Sequence, residues 1–387
     1  MHRFDFVFFF LLSCVFMGHS QNEPSLRKVK DIIIYEDSTF YSAFPSVVKK
    51  ENGELLVAFR RAPDRKIFKE KGSNHVDPNS YLVLVRSLDN GHTWSRPELI
   101  YAHPWGGSQD PCLLLLKDGS MICTSYGWAF LRETDRLKKP YFENMKNTVF
   151  LGGYTLRSYD GGDRWEGPFY PPTIPDEVKY SALGEPLPAY NRGALWESGD
   201  GTVYWAVAGG VRAEKPGHTS VHLLSSRDQG DSWDYMAPIA QDEKVQFNET
   251  SLYETPSGDL VAFMRTAQMD DEACIARSTD GGKSFGKWES MGFKGHPMQA
   301  TRLPDNRVLL VYGYRHHPFG IRARILNEEC TDYASAEEII IREDGDNSDI
   351  GYPWAVVVDD HHVLITYYFN HENGTRWIAG SLMQIIE

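Results

Sequence analysis

The sequence has little of what marks several protein classes. Only five of its 387 residues are cysteine, and none has the spacing of a metal site, so a structural zinc site is not expected. Positive charge is scarce as well. The 40 Lys and Arg residues against 53 Asp and Glu give a formal net charge of −13, which argues against a nucleic-acid partner. No linker or low-complexity stretch divides the chain, and no cofactor motif is present. The composition therefore predicts one large domain without a metal or cofactor.

The first twenty residues are typical of a signal peptide. Arg3 is followed by an apolar stretch at 6–16, which is short for a membrane span, and the small residues Gly18 and Ser20 suit a cleavage site after Ser20. We expect a mature domain at 21–387, secreted or periplasmic, with no membrane span. A faint lipoprotein box at 11–14 is the alternative.

Four cysteines remain after that cleavage, and buried free thiols are favoured over a disulfide. Cys112 and Cys123 share a hairpin but sit diagonally across it. Glycosylation patterns begin at Asn248 and Asn373, and they matter only in a eukaryotic secretory pathway.

What is present is a repeated turn. The pattern Ser-x-Asp-x-Gly-x-x-aromatic occurs at 87–94, 158–165, 226–233 and 278–285. The Asp can accept backbone N–H bonds and close a turn, the Gly tolerates positive φ, and the ring can pack between sheets. Four copies indicate a structural unit used repeatedly. We therefore interpret these aspartate boxes as structural.

A second repeat counts the units. Apolar runs flank turn pairs such as N-G, D-G and S-G in six segments, at 42–60, 108–126, 190–208, 247–265, 295–313 and 349–367. Six hairpins, four of them followed by a box, predict an all-β fold: a six-bladed β-propeller of four-stranded antiparallel blades. The last unit lacks a fourth strand, and we expect the N-terminal strand at 31–35 to close the ring. The fifth unit has only a degenerate box.

One mouth of this ring gathers polar residues. The first strand of each hairpin starts there and the second ends there, whereas the boxes lie at the opposite mouth. A polar ligand site is favoured over a solvated rim, because arginines and carboxylates concentrate in the innermost strands. The box-free mouth carries Arg60, Arg61, Gln109, Asp110, Arg192, Glu249, Arg265 and His296.

With its boxes and its ring of hairpins, the chain resembles the sialidase superfamily over about 29–387. The resemblance implies a glycosidase with a tyrosine nucleophile, a glutamate that activates it, an aspartate acid/base and three arginines that grip a sugar carboxylate. It assigns these roles to Tyr352 in D-I-G-Y-P-W, Glu249 in F-N-E-T-S-L-Y-E, Asp77 in S-N-H-V-D-P and Arg265. Arg315 or Arg322 supplies a further arginine, and His75 tunes or replaces Asp77.

The chain departs from the family at one position. The resemblance implies an arginine two residues before the Pro-Ser of the first unit, where this sequence has Ala43. Another arginine, such as Arg60, Arg61 or Arg192, has to complete the carboxylate clamp.

The chemistry fits these residue types. A tyrosine with a pKa near 10 needs a neighbouring carboxylate to take its proton, and a neutral nucleophile suits an anionic sugar. We therefore expect a secreted exo-glycoside hydrolase that removes a terminal acidic sugar, sialic acid or a related one, from glycans. Two alternatives stay open: a lyase or neutral-sugar hydrolase that uses His75 or His296 with a tyrosine, and a propeller that binds carbohydrate without cleaving it.

Overall fold

The computed structural model describes residues 25–70, 75–130, 148–181, 184–212, 214–215, 217–370 and 374–386. The signal peptide expected at 1–20, Asn373 and residues 131–147 lie outside these residues. The described part contains 24 β-strands and one short 3-10 helix, Arg65–Phe68.

Four separate sheets have four strands each, hydrogen-bonded in chain order. The first contains β6 (Gly107–Leu115), β7 (Met121–Phe130), β8 (Thr148–Ser158) and β9 (Glu166–Phe169). The next contains β10 (Trp196–Glu197), β11 (Val203–Gly209), β12 (Ser220–Ser226) and β13 (Asp234–Ala240). The third contains β14 (Gln246–Glu254), β15 (Leu260–Ala267), β16 (Glu272–Ser278) and β17 (Glu289–Lys294). The last contains β18 (Met298–Arg302), β19 (Val308–Tyr314), β20 (Gly320–Leu326) and β21 (Glu338–Arg342).

The remaining strands form one eight-stranded sheet. One half contains β2 (Phe40–Lys49), β3 (Leu55–Pro63), β4 (Tyr81–Ser87) and β5 (Glu98–Tyr101). The other half contains β22 (Gly351–Asp359), β23 (His362–Asn370), β24 (Arg376–Ile385) and the N-terminal β1 (Leu26–Tyr35). A single parallel pair, Tyr41 with Arg376, joins the halves. Four separate sheets and one double sheet therefore stand where six separate blades were expected.

The N-terminal strand pairs as the sequence indicated. β1 runs antiparallel to β24 from Leu26–Ile385 to Tyr35–Ile378, and so it is longer than the 31–35 segment expected. The innermost strands also meet around the ring, since β2 contacts both β6 and β22, and β14 contacts β18. The fold is an all-β, propeller-like arrangement in which the first and last strands of the chain share a sheet.

The aspartate boxes form the turns between the third and fourth strands of their units, and their geometry repeats. In the copy at 226–233, Ser226 donates to Asp228 Oδ1 at 2.7 Å and accepts the Gly230 N–H at 2.7 Å. The other copies repeat the serine–aspartate bond at 2.8–3.0 Å. The glycine has a φ of +89°, which disfavours a side chain there. These bonds stay within the turn, as a structural role requires.

Bulges lie near the starts of several innermost strands, and they change the direction of the side chains there. The register shifts between Ala43 and Ser46 in β2, between Gln109 and Cys112 in β6, and between Gly351 and Trp354 in β22. At each bulge the residue before a proline has positive φ: Phe44 at +60°, Asp110 at +36° and Tyr352 at +54°. Strained backbone of this kind re-aims a side chain, and it accumulates at functional sites.

Candidate functional site

A cleft of about 440 Å³ opens at the box-free mouth. Strand starts and strand ends from four sheets supply its walls, which carry both aromatic rings and charged groups. Its lining includes His75, Val76, Gln109, Asp110, Tyr126, Trp128, Phe150, Tyr190, Asn191, Arg192, Asn248, Glu249, Arg265 and Tyr352. Seven of the residues expected from the sequence therefore meet there: Tyr352, Glu249, Arg265, Arg192, Asp110, Gln109 and His75.

Tyr352 and Glu249 form the central pair of the cleft. The Tyr352 hydroxyl donates to Glu249 Oε1 at 2.5 Å, although the two residues are 103 positions apart in the chain. The bulge in β22 directs the tyrosine towards β14, where a second bulge between Phe247 and Thr250 surrounds the glutamate. A phenol hydrogen-bonded to a carboxylate is a nucleophile with its base already in place.

Arg265 binds both members of this pair. Its Nη1 donates to Glu249 Oε2 at 2.5 Å and to the Tyr352 hydroxyl at 3.1 Å. Burial raises the pKa of Glu249, but Arg265 and the Tyr352 hydrogen bond outweigh burial and lower it to about 2. Burial and the Glu249 charge raise the pKa of Tyr352 above its ordinary value of 10.0. The resting state is therefore a neutral tyrosine on an ionised glutamate.

Two more arginines flank the tyrosine ring. The Arg192 guanidinium lies 4.5 Å from the ring centre and the Arg315 guanidinium 5.0 Å from it. Arg192 is only 1% exposed and donates to the main-chain oxygens of Pro45 and Tyr352, so it supports the ring from beneath. Arg315 donates to Ile350 O and to the Tyr368 hydroxyl.

Asp110 is a second carboxyl group of the cleft, in a different state from Glu249. It accepts the Tyr126 hydroxyl at 2.6 Å and is 2% exposed. Burial, with the Glu249 charge as the next cause, raises the pKa of Asp110 to about 6. One carboxyl is thus fully ionised near neutral pH, while the other is close to its titration. Such a division is typical of acid and base roles.

His75 lies across the cleft against Phe44, with ring centres 5.2 Å apart. Its side chain is 44% exposed, and its Nδ1 is 3.3 Å from the Tyr41 hydroxyl and 3.7 Å from Asp349 Oδ1. Gln109 Nε2 donates to the His75 main-chain oxygen at 2.9 Å, which fixes the loop. Gln109 therefore helps to hold His75 in place.

Asp77 does not line the cleft. The guanidinium of Arg65 binds both of its carboxylate oxygens, Nε to Oδ2 at 2.6 Å and Nη2 to Oδ1 at 2.9 Å, and Asp77 is 2% exposed. This local pair holds the carboxylate away from the substrate space. The expectation that Asp77 faces the substrate is corrected on that ground.

Arg60 and Arg61 are not among the residues that line the cleft, and as neighbours in β3 they point to opposite faces of the sheet. Arg61 donates to the hydroxyls of Tyr81 and Tyr35. Arg60 is fully buried, with its guanidinium 5.4 Å from the Tyr41 ring centre. Neither arginine lines the cleft, where a replacement for the one missing at Ala43 was expected.

The structure places the residues expected from the fifth hairpin and its surroundings, Arg315, His296 and Arg322, in different environments. Arg315 reaches Tyr352, as described above. His296 pairs instead with Asp271 at 3.2 Å, is 3% exposed and has a pKa that burial lowers to about 4. Arg322 donates to main-chain oxygens of Arg342 and Pro318 and lies 3.5 Å from Glu338. These contacts hold His296 and Arg322 in the wall of the fold, outside the cleft lining.

Sequence reasoning missed Asp349. It accepts the hydroxyls of Tyr41 and Tyr368 at 2.9 Å and 3.0 Å and the Arg376 Nε at 2.9 Å. Burial raises the pKa of Asp349, but His75, Arg376 and Arg315 outweigh burial and bring it well below 3.8. The signal was its place three residues before Tyr352, at the start of the last hairpin. Trp128 and Phe150 were also missed. They pair between β7 and β8, and the long segment between these strands gave no sequence signal for that register.

Three further observations concern the cysteines, metal ligands and helices of the described residues. The four cysteines of the described residues are buried and unpaired. Within the same residues no group of three or more His, Cys, Asp or Glu side chains is arranged to hold a metal ion. No described helix is long and apolar enough to cross a membrane.

Comparison with known proteins agrees with the fold. The family described as BNR repeat-like domain matches residues 141–365. A solved structure from Dyadobacter fermentans, a protein of unknown function, is 62% identical, with a TM-score of 0.91 over 94% of this chain and 100% of that one. No curated protein sequence matches the chain.

Solved sialidases share the fold at low identity. The Hadza microbial sialidase Hz136 has 15% identity and a TM-score of 0.62, over 88% of this chain and 65% of that one. The Trypanosoma rangeli sialidase, in complex with 2,3-difluorosialic acid as a covalent intermediate, has 12% identity and a TM-score of 0.59, over 93% and 57%. The family match spans more than half of the chain, and the boxes and sheets agree with it. The chain therefore belongs to the BNR repeat-like family, and it has an all-β, propeller-like fold that the solved sialidases share.

Proposed function

We propose that the protein is an exo-glycoside hydrolase that removes a terminal acidic sugar, sialic acid or a related one, from glycans. The observation that carries the proposal is the 2.5 Å hydrogen bond between Tyr352 and Glu249, with Arg265 bound to both. A phenol poised on a carboxylate suits attack on the anomeric carbon of an anionic sugar, because a neutral nucleophile is not repelled.

The arginines support an anionic substrate. Arg265 keeps a partly exposed side chain at 23%, and Arg315 lies beside the same tyrosine ring. Both bear N–H groups that suit a carboxylate. We propose them as the anion clamp, with Arg192 as a support for the ring and Asp110 as an acceptor for sugar hydroxyls.

Tyr352→Phe tests the function directly. The substrate is the 4-methylumbelliferyl α-glycoside of sialic acid, followed by those of related acidic sugars. We expect the variant to lose about 10³–10⁶-fold in kcat. The matched control is Tyr190→Phe, which removes a hydroxyl from the lining of the same cleft without touching Glu249. Full activity in Tyr352→Phe refutes the role of Tyr352 as the nucleophile.

The same assay addresses the alternatives. An unsaturated product absorbing in the ultraviolet indicates a lyase, and a measured sugar affinity without turnover indicates a binding propeller.

We further propose that the eight-stranded sheet is two blades joined at the single Tyr41–Arg376 pair, which makes the ring six-bladed. On this proposal, 21–387 is one domain and 1–20 is a signal peptide cleaved on export. N-terminal sequencing of protein recovered from the culture medium or the periplasm tests the cleavage after Ser20.

A further inference from the structure

Glycoside cleavage needs a second proton-transfer group besides the Tyr352–Glu249 pair. The leaving oxygen has to be protonated as its bond to the sugar breaks. Asp77, the residue implied for this task by resemblance, is held by Nε and Nη2 of Arg65 and is 2% exposed. The acid has to be sought among the groups that line the cleft.

We propose that His75 is the general acid/base, positioned by Tyr41 and Asp349. This inference rests on the proposed hydrolase function. It assigns to a histidine–tyrosine–aspartate chain the task that the family resemblance gave to an aspartate.

The direction of the hydrogen bonds follows from donor counting. Asp349 is ionised and can only accept, so the single Tyr41 proton goes to it, at 2.9 Å. The Tyr41 oxygen then has lone pairs left to accept from His75 Nδ1, 3.3 Å away. Nδ1 is thereby the protonated nitrogen of the neutral ring, and Nε2 is the nitrogen that gains and loses a proton.

The surroundings fix the position of the ring. The Phe44 ring packs edge-on to the imidazole, and Gln109 holds the His75 main-chain oxygen. The Asp349 carboxylate lies 3.7 Å from Nδ1, on the side of the ring away from Nε2. The chain of contacts is thus suited to carry a proton at Nε2 beside the cleft.

Asp110 is the competing candidate, and its geometry is less suitable. It is 2% exposed with one oxygen held by Tyr126, whereas the His75 side chain is 44% exposed on the cleft. The leaving group, which extends towards solvent, is reached more readily from the exposed side chain.

The proposed step balances. The Tyr352 oxygen bonds to the anomeric carbon while its proton passes to Glu249. The glycosidic bond breaks, its electron pair goes to the leaving oxygen, and that oxygen takes the proton from His75 Nε2. In the second half, neutral His75 takes a proton from water as the water oxygen attacks the anomeric carbon. The Tyr352–sugar bond breaks, the tyrosine oxygen recovers its proton from Glu249, and one water has been consumed.

The test is the dependence of kcat/KM on the leaving group. His75→Gln is assayed on a 4-methylumbelliferyl glycoside, whose phenolate leaves without much assistance, and on the methyl glycoside of the same sugar. We expect a loss of less than about tenfold on the aryl substrate and about 10²–10⁴-fold on the methyl glycoside. Tyr41→Phe, which breaks the positioning chain but keeps Asp349, steepens the same dependence by a smaller factor.

The outcomes separate the two proposals. If His75→Gln loses the same factor on both substrates, His75 only binds or supports the site and the inference is overturned. If Asp110→Asn, and not His75→Gln, shows the leaving-group dependence, the acid is Asp110 and the inference is again overturned. If the wild-type protein turns over neither substrate nor any related acidic glycoside, the proposed function itself fails, and the role of His75 with it.

Discussion

Replacing Glu249 by Gln is the most informative single change, because Glu249 links the nucleophile and the clamp. The amide keeps the shape but removes the charge that neutralises Arg265, and these side chains are only 12% and 23% exposed. Breaking a buried ion pair from one side costs roughly 3–5 kcal/mol. The same change removes the repulsion between the charges of Glu249 and Asp110, which offsets part of that cost. We expect the free energy of unfolding to fall by about 3 kcal/mol.

The assay is urea unfolding of both proteins, with kcat measured on the aryl glycoside. A matched control is Asp259→Asn, which removes the partner of Arg277 at the opposite mouth. Those side chains are 22% and 26% exposed, and Arg277 keeps the Glu329 oxygen. We expect the free energy of unfolding of the control to fall by less than about 1 kcal/mol, and its kcat to stay unchanged. Glu249→Gln should also lose roughly 10²–10⁴-fold in kcat. A variant as stable as the wild type would refute the reasoning that Glu249 neutralises Arg265.

Three further predictions follow from the same geometry. Because folding raises the pKa of Asp110 to about 6 from 3.8, the contribution of Asp110 to wild-type stability is fullest below pH 3.8 and is lost as pH rises through about 6. Asp110→Asn lacks this decline, so its unfolding free energy relative to wild type should rise by on the order of 3 kcal/mol between acid and neutral pH, and a flat difference contradicts the shift. Arg315→Lys should raise KM for an acidic substrate about 10–100-fold, since an ammonium cannot replace the two bonds to Ile350 and Tyr368, and an unchanged KM excludes Arg315 from the clamp. Ser226→Ala, which removes two bonds of a box turn, should cost about 1–2 kcal/mol in urea unfolding with KM unchanged. A changed KM would give that box a role in the site.

Much of the site was predictable because the family pattern fixes strand starts. Tyr352 and Glu249 lie near the starts of β22 and β14, Arg265 lies near the end of β15, and the structure brings all three within hydrogen-bond distance. The clamp was less predictable. The sequence suggested Arg60 or Arg61 as replacements for the arginine missing at Ala43, but Arg61 binds Tyr81 and Arg60 is buried against Tyr41, so neither lines the cleft.

Asp77 illustrates a different limit. Asp77 lies in the loop that precedes β4, and Arg65, twelve residues earlier, binds its carboxylate. Two oppositely charged residues in one loop can pair with each other or turn separately towards a ligand. Sequence spacing does not decide between these arrangements, since both satisfy the charges.

The sequence by itself determined the repeating turns and the pairing of β1 with the last unit. Box hydrogen bonds join residues two to four positions apart, so the residue types alone specify them. Tertiary structure alone decided which polar residues share the cleft and which meet elsewhere. The Tyr352–Glu249 contact spans 103 positions, and the Tyr41–Asp349 contact spans 308. Such contacts depend on how the sheets pack around the axis and on bulges that re-aim one residue at a time. Local sequence does not encode either.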